Sequence, residues 1–180
     1  MTEPIVPSFD DAPAAESGAS GGRKLTIICS KGNLDMVYPG LVLASAALGE
    51  GIETHMFFTF WGFDIITKSR MADLKFSMLG NTAMHMPQAP KLPLPAVMGA
   101  IPGVTRYATN MMKQQIADLE IPDVPEMIDT IKAMGGHLWG CRMSFDMNKL
   151  TEEDLYDDID GIISASDFME ISEGGQIIFI

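Results

Sequence analysis

The sequence predicts an α/β domain of three layers, with helices on both faces of a mostly parallel five-stranded sheet. Two observations carry that expectation. Short apolar, β-branched runs alternate with stretches whose apolar residues recur every three or four positions, and Gly, Pro or Asn separates almost every such pair. A chain of 180 residues fits one domain, which buries about 70% of its unfolded surface, so no disulfide scaffold is needed.

Met1 to Gly22 is rich in Pro, Ala, Ser, Gly and acids. It holds too few large apolar side chains to offset the entropy of ordering, and a disordered tail is expected. Residues 23–180 are read as the single domain. Lys24 to Ser30 reads as a strand buried on both faces. From Leu34 the period changes, and Leu34, Val37, Tyr38, Leu41, Ser45 and Leu48 line one helix face. Pro39 is tolerable only near a first turn, which puts the helix start close to Asp35, a residue able to cap it; the end falls at Gly49 or Gly51. Ile52 to Phe60 is the second strand, laid parallel by a right-handed crossover.

Ile66, Met71, Leu74, Met78 and Leu79 predict a further helix reaching Gly80. A long helical or irregular insertion follows, about residues 81–122. Its first part is rich in Pro, apolar and Met, and needs something to cover it, with a neighbouring subunit favoured over lipid or an active-site lid. Within the insertion, Tyr107, Met111, Met112, Ile116 and Leu119 form a helical face that Pro122 stops. Asp123 can cap the next helix, with Pro125 in its first turn and Gly135 and Gly136 ending it. His137 to Met143 is the third strand. Thr151 with Asp154 resembles a capping box, so a helix is expected there. Gly161 to Ile163, Ser164 to Ser172 and Gln176 to Ile180 then read as strand, helix and strand. The alternation is flavodoxin-like in outline.

Charge and composition exclude several functions. Twelve basic residues against 24 acidic ones give a net charge of −12, which opposes a phosphate-backbone partner; nucleic acid is not expected. The longest apolar candidate for a span, Leu92 to Val104, is short and broken by Pro93, Pro95 and Pro102. The tail lacks the basic and apolar regions of a signal sequence, and the two cysteines are read as thiols in a reducing, cytoplasmic compartment. Fifteen methionines suit irregular packing and subunit contacts. The three histidines stand without a metal-ligand spacing, and no cofactor is expected.

In open parallel sheets ligands gather beyond the carboxyl ends of the strands. Three loops qualify: Ser30 to Asn33, Phe60 to Asp64, and Cys141 to Leu150. Cys141 is expected to be exposed where the third strand gives way to a loop. Arg142 and the start of the helix at Thr151 would favour its thiolate, the form that attacks sulfur. A buried strand cysteine with no chemistry is the competing reading. Ser30, Lys31, Gly32 and Asn33 could hold an anion on backbone N–H groups, or form a simple turn. Cys29 sits in an apolar run and is read first as core. It becomes a second thiol only if its Cα lies within about 7 Å of that of Cys141.

The segment SKGNLDMVYPGLVLASAALGEGIETHMFFTFWG, from Ser30 to Gly62, and GGHLWGCRMSFDM, from Gly135 to Met147, resemble the DsrE/DsrF-like sulfur-transfer family. The longer DsrE-type subgroup, labelled peroxiredoxin-like and associated with rhodanese and TusA, is the nearest in pattern. The resemblance covers nearly everything after Lys24. It implies a cytoplasmic sulfur carrier or sulfurtransferase that works with TusA-like carriers and rhodanese, usually as a homo-oligomer. The family's functional cysteine matches Cys141, with Met143, Ser144 and Asp146 in its setting; Cys141 would hold sulfane sulfur or a thiosulfonate group, with Arg142 and Ser144 stabilising charge. The peroxidatic Pro-x-x-x-Thr-x-x-Cys pattern is missing from the sequence. Two readings of other classes compete: a flavin- or nucleotide-binding module, and an oligomeric scaffold touching a membrane surface through residues 88–104.

Overall fold

The computed structural model of the protein describes residues 22–77, 84–86, 89–94 and 103–180. The expected tail, Gly22 apart, lies outside the described residues, as does most of the Pro-rich stretch of the insertion. Five parallel strands form the sheet: β1 (Lys24–Cys29), β2 (Glu53–Phe58), β5 (His137–Cys141), β6 (Gly161–Ile163) and β7 (Gln176–Phe179). Their spatial order is β6-β5-β2-β1-β7. In the insertion, β3 (Met84–Met86) and β4 (Ala89–Leu94) pair antiparallel apart from this sheet. The helices are α1 (Leu34–Gly49), α2 (Val104–Asp118), α3 (Val124–Ala133), α4 (Arg142–Met147) and α5 (Ala165–Ile171). Among the described residues no helix is long and apolar enough to cross a membrane.

The strand order explains the layers. From β1 the chain steps the same way across the sheet to β2, β5 and β6, and right-handed crossovers in one direction put their helices on one face. Accordingly α1 packs against α3. That face buries Ile27, Met56 and Leu138 completely. Only the last crossover runs back, to β7 beside β1, and it carries α5 to the opposite face, where Phe168 meets Phe57 at 4.5 Å between ring centres. The layering is flavodoxin-like, but flavodoxin itself reverses early in its strand order. Because α5 has seven residues, the second face is thinly covered. Ile177 (48%), Phe179 (70%) and Met169 of α5 (62%) stay exposed.

Two expected helices are replaced by other structure, for one shared reason. The stretch after Trp61 forms 3-10 turns at Phe60–Ile65 and Met71–Asp73, although Ile66, Met71 and Leu74 are buried as their spacing predicts. Between the turns Thr67 bridges Leu155. Lys68 N–H donates to the Asp154 carbonyl, and Tyr156 N–H to that of Ile66. The same pairing stops the second helix. The Thr151–Asp154 capping box forms, yet it opens only one 3-10 turn before Leu155 goes extended. The capping box at Asp123 is present in full, with Glu126 reciprocating. Asp35 does not cap α1; its carboxylate accepts from Ser77 N–H at 2.8 Å.

The turn after β2 is held against β1 by a close approach. Thr59 N–H donates to the Cys29 carbonyl and Gly62 N–H to that of Thr59. A Cβ on Gly62 would stand 2.0 Å from the Cys29 carbonyl oxygen. Gly62→Ala is therefore expected to lower stability by roughly 1–3 kcal/mol, as overpacking does. Gly49→Ala, with open space around it, should be neutral or stabilise by up to about 1 kcal/mol. Urea unfolding of the two variants checks the contrast.

Candidate functional site

Cys141 is the last residue of β5 and the N-cap of α4, with φ −74° and ψ 121°. The expected loop after it is this helix. Its first turn, rather than a helix at Thr151, brings amide N–H groups to the sulfur. The expectation of an exposed thiol is corrected: Cys141 is 8% exposed. What surrounds it is not simply hydrocarbon. Two hydroxyls reach it, from Thr59 at the end of β2 and from Ser144 in α4.

Ser144 joins these elements. It is fully buried, its Oγ stands 3.1 Å from Thr59 Oγ1, and it accepts from Phe60 N–H at 2.8 Å. Phe60 adopts φ +47°, a left-handed conformation that costs a large side chain roughly 1–2 kcal/mol. The bond to Ser144 holds it there. Since the Phe60 amide occupies one Ser144 lone pair, the Ser144 and Thr59 protons remain for each other or for sulfur. Both can turn to a thiolate at once.

The thiol closes no capping hydrogen bond of its own, since sulfur in that form is a weak acceptor. Ionisation changes the balance. Burial by itself would raise the Cys141 pKa. The backbone N–H of Ser144, the Thr59 hydroxyl, the Ser144 hydroxyl and the backbone N–H of Met143 outweigh it, and the pKa is held below the ordinary thiol value. At Cys29 burial acts unopposed and pushes the thiol up to about 12.

Arg142 is turned to other partners. Its guanidinium donates to the Ile162 carbonyl at 3.1 Å and lies 6.0 Å from the Phe145 ring centre. Ser30 is committed as well, since its amide and hydroxyl both donate to the Ile180 carbonyl. Next to it, Leu34 N–H donates to the Lys75 carbonyl. Lys31 is exposed. Gly32 and Asn33 line a cleft of about 350 Å³ with Trp61, Asp64, Arg70 and Lys75, in which Arg70 pairs with Asp64 at 2.6 Å and Lys75 with Asp73.

The two cysteines are not brought together. Both are free, and β2 stands between their strands, a separation of about 9–10 Å at normal strand spacing. They also face opposite ways. Cys29 aligns with Phe58 and Phe58 with Gly140, so the side chain of Cys141, one residue on, lies on the other face. His55 and His137 stand elsewhere too, and the side chain of His85 lies outside the described residues. His55 and His137 stack with ring centres 4.7 Å apart near the amino ends of their strands, and Trp139 N–H donates to His55 Nδ1 at 3.1 Å. His137 precedes Cys141 by four positions, about 13 Å along a strand, too far for a proton relay. Among the described residues no three His, Cys, Asp or Glu side chains form a group able to hold a metal ion. Thr59 was missed by the sequence reading; its place just before the Phe60 to Asp64 loop was the only signal for it.

Residues 22–180 match the DsrE/DsrF/DrsH-like family. The chain belongs to that family. It is 30% identical over 158 residues to the sulfur carrier protein DsrE2 of Allochromatium vinosum, covering 88% of this chain and 98% of that protein. It is 28% identical over 160 residues to the uncharacterized protein YrkE of Bacillus subtilis, covering 88% and 97%. The crystal structure of YchN from E. coli superposes with a TM-score of 0.52 over 88% of this chain and 99% of that one, at 9% identity. That likeness concerns the fold, and it bears out the layered α/β sheet.

The cradle predicts the chemistry of the thiol. Alkylation by iodoacetamide followed against pH should titrate below the ordinary thiol range, with label on Cys141 and none on native Cys29. Ser144→Ala and Thr59→Val each remove a donor to the thiolate, so the pKa should rise. The rate at neutral pH should fall while the rate in strong alkali stays near wild type. Ser144→Ala should also lose about 1–3 kcal/mol in thermal unfolding, because Phe60 N–H is left without its acceptor.

Proposed function

We propose that the protein is a sulfur carrier that holds sulfane sulfur on Cys141 and relays it between protein thiols in the cytoplasm. The observation that carries this reading is the set of N–H and O–H donors converging on a cysteine at the carboxyl edge of a parallel sheet. Membership of the family and the likeness to a protein named as a sulfur carrier support it.

The transfer needs no cofactor in this proposal. Cys141 thiolate attacks the outer sulfur of a donor persulfide. The donor S–S bond breaks, its electron pair leaves with the donor thiolate, and a Cys141 persulfide forms. An acceptor thiolate then attacks the terminal sulfur and releases Cys141 as thiolate again. No net oxidation or proton uptake occurs in the cycle. Thr59, Ser144 and the first amides of α4 would hold the negative charge at each stage. Arg142 would take part only by leaving the Ile162 carbonyl, and the Ser30 to Asn33 turn would serve as a neighbouring wall.

TusA-like carriers and rhodanese, which the resemblance implies, are the proposed exchange partners. A homo-oligomer is proposed as well, and the exposed Ile177, Phe179 and Met169 support it, since this thin face gains by being covered.

Intact-mass measurement after exposure to polysulfide or thiosulfate tests the central proposal. Wild type and Cys29→Ser should gain the mass of added sulfur, reversed by dithiothreitol, and Cys141→Ser should gain none. Labelling that persists in Cys141→Ser would sink it. In sedimentation velocity Phe179→Glu should shift the protein towards the monomer; an unchanged profile would remove this face from the assembly.

A further inference from the structure

Sulfur at Cys141 is nearly covered, yet the surface beside it is unusually apolar. Phe60 (40%) and Trp61 (70%) are exposed and stack with ring centres 5.8 Å apart. Met143 (56%) and Met147 (55%) are exposed on α4, one turn apart and so on one side of the helix. The Phe60 amide and Ser144 hydroxyl tie the two segments together. Left-handed backbone at Phe60 is retained at the cost of strain, which a fold keeps where the outward placement has a use. Large apolar side chains left in water around a reactive group mark a contact surface for another macromolecule.

Charge indicates what kind. The chain as a whole is strongly acidic, at −12. On the flanking segments, however, Lys31 beside Gly32, which approaches the Trp61 carbonyl, and Arg142 and Lys149 at and just beyond the two ends of α4 are all exposed. The carboxylates on the same segments are Asp64 and Asp146, and the cleft that Trp61 lines adds Asp73; Asp64 pairs with Arg70 and Asp73 with Lys75. These segments thus carry more cations than carboxylates, against the acidic balance of the whole chain, and suit a partner that most of this protein would repel.

Resting on the sulfur-carrier reading, we propose that Phe60, Trp61, Met143 and Met147 form a docking collar for a protein that presents its reactive cysteine between apolar residues on an acidic surface. The collar would seat the partner's apolar tip, and the cations at its rim would steer the encounter and set specificity.

Short cysteine peptides activated as mixed disulfides with 2-thiopyridine test this on the whole protein. Cys141 thiolate attacks the peptide sulfur, a Cys141–peptide disulfide forms, the pyridyl S–S bond breaks, and thiopyridone leaves with the electron pair and is read by absorbance. Three peptides are compared: leucines beside the cysteine with terminal aspartates, leucines with terminal lysines, and serines with terminal aspartates. The first should react about tenfold faster than either of the others, with its advantage over the lysine peptide shrinking at high salt. Trp61→Ala combined with Met147→Ala should bring the first peptide down to the rate of the third, while a small pyridyl disulfide reacts with wild type and variant alike. Equal rates for the three peptides, a faster lysine peptide, or a variant that slows the small disulfide as much would overturn the collar. The reaction does not require a persulfide. Missing sulfur uptake with peptide discrimination intact would therefore fault the carrier reading alone, and the reverse result would fault the collar alone.

Discussion

The ends of β2 and β5 are locked together at the Ser144 hydroxyl, and the environment of the Cys141 thiol depends on that contact. One oxygen accepts the Phe60 amide, meets Thr59 and approaches Cys141. Two segments distant in the chain, 59–60 and 141–144, are thereby set at one depth, just beyond the sheet. Burial strengthens the arrangement, because hydroxyls and amides withdrawn from water have few other partners and act on the sulfur through a medium of low polarity.

The lock works only because the turn after β2 comes close to β1. Gly62 has no side chain to keep it from the Cys29 carbonyl, and Thr59 N–H donates to that same carbonyl. Gly140 plays a matching part on β5, where a Cβ would meet Ile162 and Phe63. Two glycines thus let bulky neighbours close around the site, and the thiol of Cys29, on the other face of the sheet, serves the core. Its face of the sheet is buried under α1, and desolvation keeps it protonated.

Local patterns in the chain were good guides wherever one element's own surface decided its form. The apolar runs of β1, β2 and β5, the cap at Asp123 and the helix expected from Ser164 came out near their expected places. Reading failed where two segments had to meet. The spacing of Ile66, Met71 and Leu74 is helical and those side chains are buried, but the backbone there pairs with residues around Leu155. Sequence periodicity records which residues go inside and is silent on a bridge to a segment some ninety positions away.

Within the site the same division holds. Cys141 and its neighbours Met143, Ser144 and Asp146 were legible as a family pattern, and α/β alternation placed the cysteine at a strand's carboxyl end. Its burial, the Thr59 hydroxyl opposite it, the turning away of Arg142 and the separation of the two thiols came from strand order and register. Alternation along a strand assigns side chains to two faces. Which strands are neighbours, and which donors then converge on one sulfur, is decided only when distant parts of the chain pack.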